Sequence, residues 1–225
     1  MSSGRGLLEV IVLDARDAEQ AQLGGADRVE LVAEMALDGL TPSDDVVREV
    51  LAATDLPVRV MLRQRGSFLA ADLPGLRARA NELLALGAKE FVLGFLTTGG
   101  IVDERATRTL VRELDGAGWT FHRAVDHARD VRVAYATAAR LGCDTILTAG
   151  HPDGVTEGRP ALEQLALHEE PPVLMAGGGL RAQQVARLRE AGVRAFHVGS
   201  GVRPLGWVEA VDAPAVRRWA ELVHG

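Results

Sequence analysis

Only one cysteine, Cys143, occurs in the 225 residues. That excludes an intramolecular disulfide and any cysteine-only zinc or iron–sulfur site within one chain. Lysine is equally scarce: of 25 basic residues 24 are arginine, and Lys89 is the only lysine. Schiff-base chemistry therefore depends on where this one amine lies. No apolar run approaches the roughly 20 residues of a membrane span, and the opening MSSGRGLLEV does not read as a signal peptide. The net charge of -6 offers no basic surface for nucleic acid. The expectation is a soluble cytoplasmic protein with neither membrane nor nucleic-acid partners.

What the chain does have is 47% hydrophobic residues without a low-complexity linker or charge block to divide them. One domain over 1–225 is expected, with enough apolar residues to offset its folding entropy. Short β-rich runs recur at Leu7–Leu13, Arg28–Val32, Val58–Leu62, Phe91–Leu96, Trp119–Ala124, Thr145–Thr148, Val173–Ala176 and Ala195–Val198. A segment long enough for a helix and a right-handed return follows each run. Thr41-Pro42 reads as the N-cap and first residue of a helix over Ser43–Ala53, and Asp72, Asp103 and Asp130 stand where other helices begin. Gly24, Gly87, Gly142 and Gly192 follow apolar helix ends. They belong to a weak repeat, LGGADRVEL, LGAKEFVLG, LGCDTILTAG and AGVRAFHVG, preceding every second strand. Four βαβα units point to a single-domain α/β protein, a (β/α)8 TIM barrel. The alternative, a doubly wound sheet, lacks a GxGxxG after its first strand.

Charged residues sit inside strands that such a barrel buries: Glu9, Glu30, His122, Arg123 and His197, with Arg63 and Arg65 ending the third run. An unpaired buried ion is costly, whereas grouped ions compensate one another. Strands eight, one, two and three are neighbours, so His197, Glu9, Glu30 and Arg63 would line one side of the interior with His122 facing them. They form either structural ion pairs plugging the barrel or a ligand site at its C-terminal mouth. Ala176-Gly177-Gly178-Gly179 and Gly199-Ser200-Gly201 end strands seven and eight, a frequent phosphate-binding location in these barrels. The expected acid/base groups are Glu9, Glu30 and His122, with His197 a polariser or second base. The expected anion binders are Arg63, Arg65, Arg123, Thr148, Gly177, Gly178, Gly179, Gly199 and Ser200. Lys89 precedes strand four, at the wrong end for a Schiff base. Cys143, before strand six, reads as a buried structural thiol. His151 either covers the mouth or belongs to an ordinary turn, and His127, His168 and His224 read as surface residues.

The ordered motifs GGADRVEL at 24–31, DGLTPS at 38–43, RQRG at 63–66, TFHRAVD at 120–126, ILTAG at 146–150, MAGGG at 175–179 and FHVGS at 196–200 resemble the CutC family from about Leu7 to Ser200. The resemblance implies a TIM barrel, a homo-oligomer (here a dimer) and a copper-homeostasis role. It also marks departures. Val32 stands where family members commonly carry cysteine, and Arg63-Gln64-Arg65-Gly66-Ser67-Phe68 replaces an RPRGGDF run. Copper(I) favours thiolate and thioether ligands, so copper as a cofactor rests on the family name alone. Three functions compete: an acid/base enzyme acting on a small anionic metabolite, a copper-binding or copper-tolerance protein, and a non-catalytic ligand sensor.

Overall fold

A computed structural model describes residues 5–167 and 171–225, which leaves His168 outside the described residues. Eight parallel strands close into a barrel in sequence order: β1 Leu7–Val12, β2 Arg28–Leu31, β3 Val58–Met61, β4 Glu90–Leu93, β5 Gly118–Phe121, β6 Thr145–Thr148, β7 Val173–Ala176 and β8 Ala195–Val198. The helices between and after them are α1 Ala15–Gly24, α2 Asp44–Ala53, α3 Leu73–Ala85, α4 Glu104–Glu113, α5 Val131–Arg140, α6 Val155–Leu165, α7 Ala182–Glu190 and α8 Ala213–His224. None of the described helices is long and apolar enough to cross a membrane.

Period-two alternation divides the strand residues between two environments. Leu8, Val10, Val29, Leu31, Val60, Phe91, Leu93, Phe121, Ile146 and Phe196 join the outer core between strands and helices. The inward set is mixed. Arg59 bonds Glu90, Thr120 and Asp144 near the N-terminal end, while Ile11, Val32, Met61 and Val92 form a separate apolar cluster.

Several expected boundaries move. Leu13, Val32, Leu62, Gly94–Leu96 and His122–Ala124 lie outside the sheet. At β5 the cause is local: His122 caps a 3-10 turn over Arg123–His127, and its Nδ1 accepts the Ala124 N–H at 3.1 Å. Thr41 is not the cap of α2; Ser43 occupies that position. Thr41 instead exchanges two hydrogen bonds with the Arg63 backbone, at 2.8 and 3.0 Å. Asp72, Asp103 and Asp130 do cap α3, α4 and α5 through their carboxylates. Gly24 ends α1 rather than following it, and Gly25 adopts the left-handed conformation. The glycine at 24 answers to packing: a Cβ there would meet Val216 Cβ on α8 at 2.3 Å.

Candidate functional site

A cavity of about 270 Å³ opens at the C-terminal mouth of the barrel, with Glu30, His122, Arg123, His197 and the β7 and β8 loops in its walls. Each polar residue reaches it because a strand delivers it there. Glu30 comes from β2 and His197 from β8, with Glu9 of β1 in register beside His197. His122 leaves the end of β5 in extended backbone.

Glu9 lies below the cavity wall, fully buried. Its Oε2 accepts from Arg28 Nε at 2.5 Å and its Oε1 lies 2.8 Å from His197 Nδ1. Burial pushes the Glu9 carboxyl up, but Arg28 and the hydrogen bond and charge of His197 outweigh it, and the group titrates at about 2. It is an anion with both oxygens committed. The His197 imidazole is pulled down by burial and raised on balance by Glu30 and Glu9. A carboxylate at Nδ1 fixes the ring orientation and directs Nε2 towards Glu30 Oε2, 3.7 Å away.

Glu30 behaves oppositely. It is 3% exposed, and burial, reinforced by the nearby Glu9 charge, raises it to about 7 despite the opposing pull of His197. Its Oε1 has no hydrogen-bond partner among the described residues. His122 is 4% exposed and is held neutral: burial, then the Arg63 charge, lowers it to about 3. Because Nδ1 accepts from Ala124, the neutral ring carries its proton on Nε2, and that atom is also without a partner. The lining of one cavity thus contains an unpaired acceptor from the β2 side and an unpaired donor from the β5 side, each expensive to bury without a ligand.

Phe68 shields His122. Its ring packs edge-on to His122 at 5.6 Å, tilts over His127 at 4.8 Å and lies 4.5 Å beneath the Arg63 guanidinium. Replacing Phe68 by Ala removes that cover, so the His122 pKa should climb from about 3 towards the ordinary 6.5. Imidazole chemical shifts followed against pH measure this directly; an unmoved midpoint would mean that Phe68 does not keep His122 dry.

The remaining sequence-predicted residues divide. Arg63 does not line the cavity: Nη1 donates to Leu37, Asp38 and Gly39 carbonyls and Nη2 to that of Gly66, tying the loops after β2 and β3 together. Arg65 is exposed on the loop after β3 and does not line the cavity. Thr148 gives its hydroxyl to Asp126, which also accepts the Ala149 and Gly150 N–H groups and Arg123 Nε. Arg123 lines the cavity, with Nη2 on the Pro152 carbonyl and Nη1 without a hydrogen bond among the described residues. Gly177 donates its N–H to Thr148, and a Cβ there would strike His197 Cβ at 2.8 Å. Gly178 has φ +97° and a Cβ there would meet the Arg123 guanidinium at 2.6 Å. Gly199 is pressed against Trp207, whose indole forms part of the wall. The N–H groups of Gly178, Gly179, Ser200 and Gly201 donate to no protein acceptor among the described residues.

Sequence reasoning missed Phe68, Asp126 and Trp207. The first two sit inside the motifs RQRGSF and TFHRAVD, and with only 4% aromatics Phe68 and Trp207 were available as signals. His127 is exposed, as expected, yet it lines the mouth. His151 belongs to a turn, accepting the Asp153 N–H, and His224 pairs with Asp27 at the other end of the barrel.

Fold and site together define a single-domain TIM barrel with a cavity of mixed polar and apolar lining open at its C-terminal mouth. The chain belongs to the CutC family, whose model matches residues 6–202. It is 34% identical over 202 residues to a family protein CutC of Pasteurella multocida, covering 87% of this chain and 83% of that one. It is 35% identical over 196 residues to the human copper homeostasis protein cutC homolog, covering 85% and 72%. The crystal structure of the putative copper homeostasis protein CutC from Streptococcus agalactiae matches with a TM-score of 0.78 at 26% identity, covering 86% of this chain and 98% of that one.

The described residues offer copper(I) no thiolate at the mouth, and the two thioethers lining the cavity, Met35 and Met61, pack with the apolar cluster of Ile11, Val32 and Val92. The Cys143 thiol is buried, bonds the Ala138 carbonyl at 3.4 Å and is pushed up to about 12 by burial and Asp144. It precedes β6, at the end away from the mouth. Val32 is an apolar wall residue. The one acidic and histidine cluster found among the described residues, Glu9–Glu30–His197, offers hard donors, and two of its three members are already committed to Arg28 and to each other. The only lysine, Lys89, is exposed just before β4, so no lysine is available at the mouth for a Schiff base.

Proposed function

We propose that this CutC-family barrel is an enzyme performing acid/base chemistry on a small anionic metabolite in the mouth cavity. One observation carries the reading: Glu30 Oε1 and His122 Nε2, an acceptor and a donor in residues lining the same cavity, are both buried without a partner among the described residues. Glu30, with a pKa of about 7, exchanges a proton readily at neutral pH. His122 stays neutral and donates a hydrogen bond to a developing oxyanion. Glu9 and His197 orient and tune Glu30; Glu9 is not part of the cavity lining, whereas His197 is and can also polarise the substrate. Arg123 and the glycine-rich loops favour the anion.

A panel of phosphorylated and carboxylated metabolites, screened by thermal shift and then for turnover, tests this reading. Turnover of a compound that stabilises the protein should fall about 10²–10⁴-fold in Glu30→Gln and comparably in His122→Asn. Unchanged turnover in both variants would overturn the assignment. Stabilisation without turnover across the panel would favour a ligand sensor, and retention of copper(I) against a chelator would favour the copper-binding reading.

A further inference from the structure

The two unpaired side-chain atoms and the unpaired backbone N–H groups belong to one cavity, and they differ in what they can bind. Gly178 and Gly179 after β7, with Ser200 and Gly201 after β8, have four N–H groups without an acceptor among the described residues, and all four residues line the cavity. The Ser200 hydroxyl and Arg123 Nη1 add to this rim. Such a set, backbone donors from two loops beside a guanidinium, suits the three terminal oxygens of a phosphate monoester better than the two oxygens of a carboxylate. Elsewhere in the lining of the same cavity, His122 offers a neutral N–H, the group that polarises a carbonyl without protonating it fully. Glu30 offers a carboxylate oxygen, the group that removes a proton from carbon. The volume of about 270 Å³ suits a compound of a few carbons.

We infer that the substrate is a short phosphorylated α-hydroxycarbonyl compound, held by its phosphate on the Gly178–Gly179 and Ser200–Gly201 amides, and that the reaction is a 1,2-proton shift through an enediolate. This deepens the enzyme reading above and rests on it. Glu30 takes the proton from the carbon bearing the hydroxyl. The C–H electron pair becomes the new carbon–carbon π bond, and the carbonyl π pair moves onto oxygen, where it accepts the His122 Nε2–H bond. Glu30 then returns its proton to the former carbonyl carbon while the hydroxyl proton passes from one oxygen to the other. The second carbonyl forms, composition is unchanged, and no oxidant, reductant or amine nucleophile is required. The absence of a lysine from the mouth accords with that route.

Incubating the protein in D2O with dihydroxyacetone phosphate, ribulose 5-phosphate or hydroxypyruvate separates the possibilities, with deuterium at the α-carbon read by NMR. Deuterium should enter a phosphorylated compound and not hydroxypyruvate, at a rate lowered about 10²–10⁴-fold in Glu30→Gln. Exchange confined to hydroxypyruvate would replace the phosphate by a carboxylate and overturn the inference in that respect. Inorganic phosphate should protect the protein thermally, and Ser200→Asp, which places a negative charge on an exposed loop position, should weaken that binding at least about 100-fold. Phosphate binding unaffected by Ser200→Asp, or absent, would remove the cradle. If the phosphorylated probes bind without exchange, while another anion turns over with dependence on Glu30 and His122, the enediolate step is wrong and the acid/base reading survives. If neither exchange nor any Glu30-dependent turnover is found, both fall.

Discussion

Glu30→Gln should give a protein that is both inactive and more stable at pH 8. The loss of turnover, about 10²–10⁴-fold, follows from removing the proton acceptor. The stability gain follows from the direction of its titration. Glu30 titrates at about 7 in the folded chain against an ordinary 4.5, so the native state holds its proton more tightly than the unfolded state. Below pH 4.5 both states are protonated and the site carries no penalty. Between 4.5 and 7 the unfolded chain ionises first and stability falls, and above 7 the full cost of a buried carboxylate persists. Glutamine never ionises. Urea unfolding should show the variant ahead by on the order of 1–3 kcal/mol at pH 8, the gap closing by pH 4. For the native protein, kcat/KM should rise with pH through about 7 as the base ionises. A variant that is inactive and less stable at pH 8 would mark Glu30 as a packing residue instead.

Glu9→Gln should act in the opposite sense. Its carboxylate is the counter-charge of Arg28 and the acceptor for His197, all within the barrel. Removing one member of a buried ion pair leaves the other uncompensated, a loss of about 3–5 kcal/mol. The pH dependence reverses too. With a folded pKa of about 2 against 4.5, Glu9 contributes stability that is complete above 4.5 and is lost as pH falls through about 2. Glu9→Gln should therefore flatten the acid limb of the stability curve. A Glu9→Leu, Arg28→Met double variant, which removes both partners of the ion pair but leaves His197 Nδ1 without its acceptor, should recover part of the loss. A single-variant loss below about 1 kcal/mol would contradict the arrangement described.

The contrast between these two glutamates explains what was legible in the sequence. Charges inside apolar strands marked Glu9, Glu30 and His197 as interior, and the order of the strands placed them side by side. Nothing in the sequence distinguished a carboxylate facing Arg28 from one without a full partner, because that depends on side-chain reach across the barrel. Arg63 shows the same limit. It is buried as expected, but four backbone carbonyls claim its guanidinium, and loop conformation is not written in residue spacing. The glycines of the two rim loops were legible as a location. Which of them expose an N–H, and which, like Gly177, make room for a neighbouring side chain, depends on contacts formed only after folding. The barrel itself was legible because eight apolar runs at regular intervals, with capping aspartates between them, agree on one topology.

Whether Glu30 and His122 are a poised base and a dry, neutral donor is best settled by following the Glu30 carboxyl carbon and the His122 ring nitrogens by NMR across pH 3–9. A Glu30 midpoint near 7 is expected, with His122 remaining the Nε2–H tautomer well below pH 6. A Glu30 midpoint near 4.5 together with His122 titrating near 6.5 would describe two ordinary, hydrated side chains, and the proton-transfer account would fail with them.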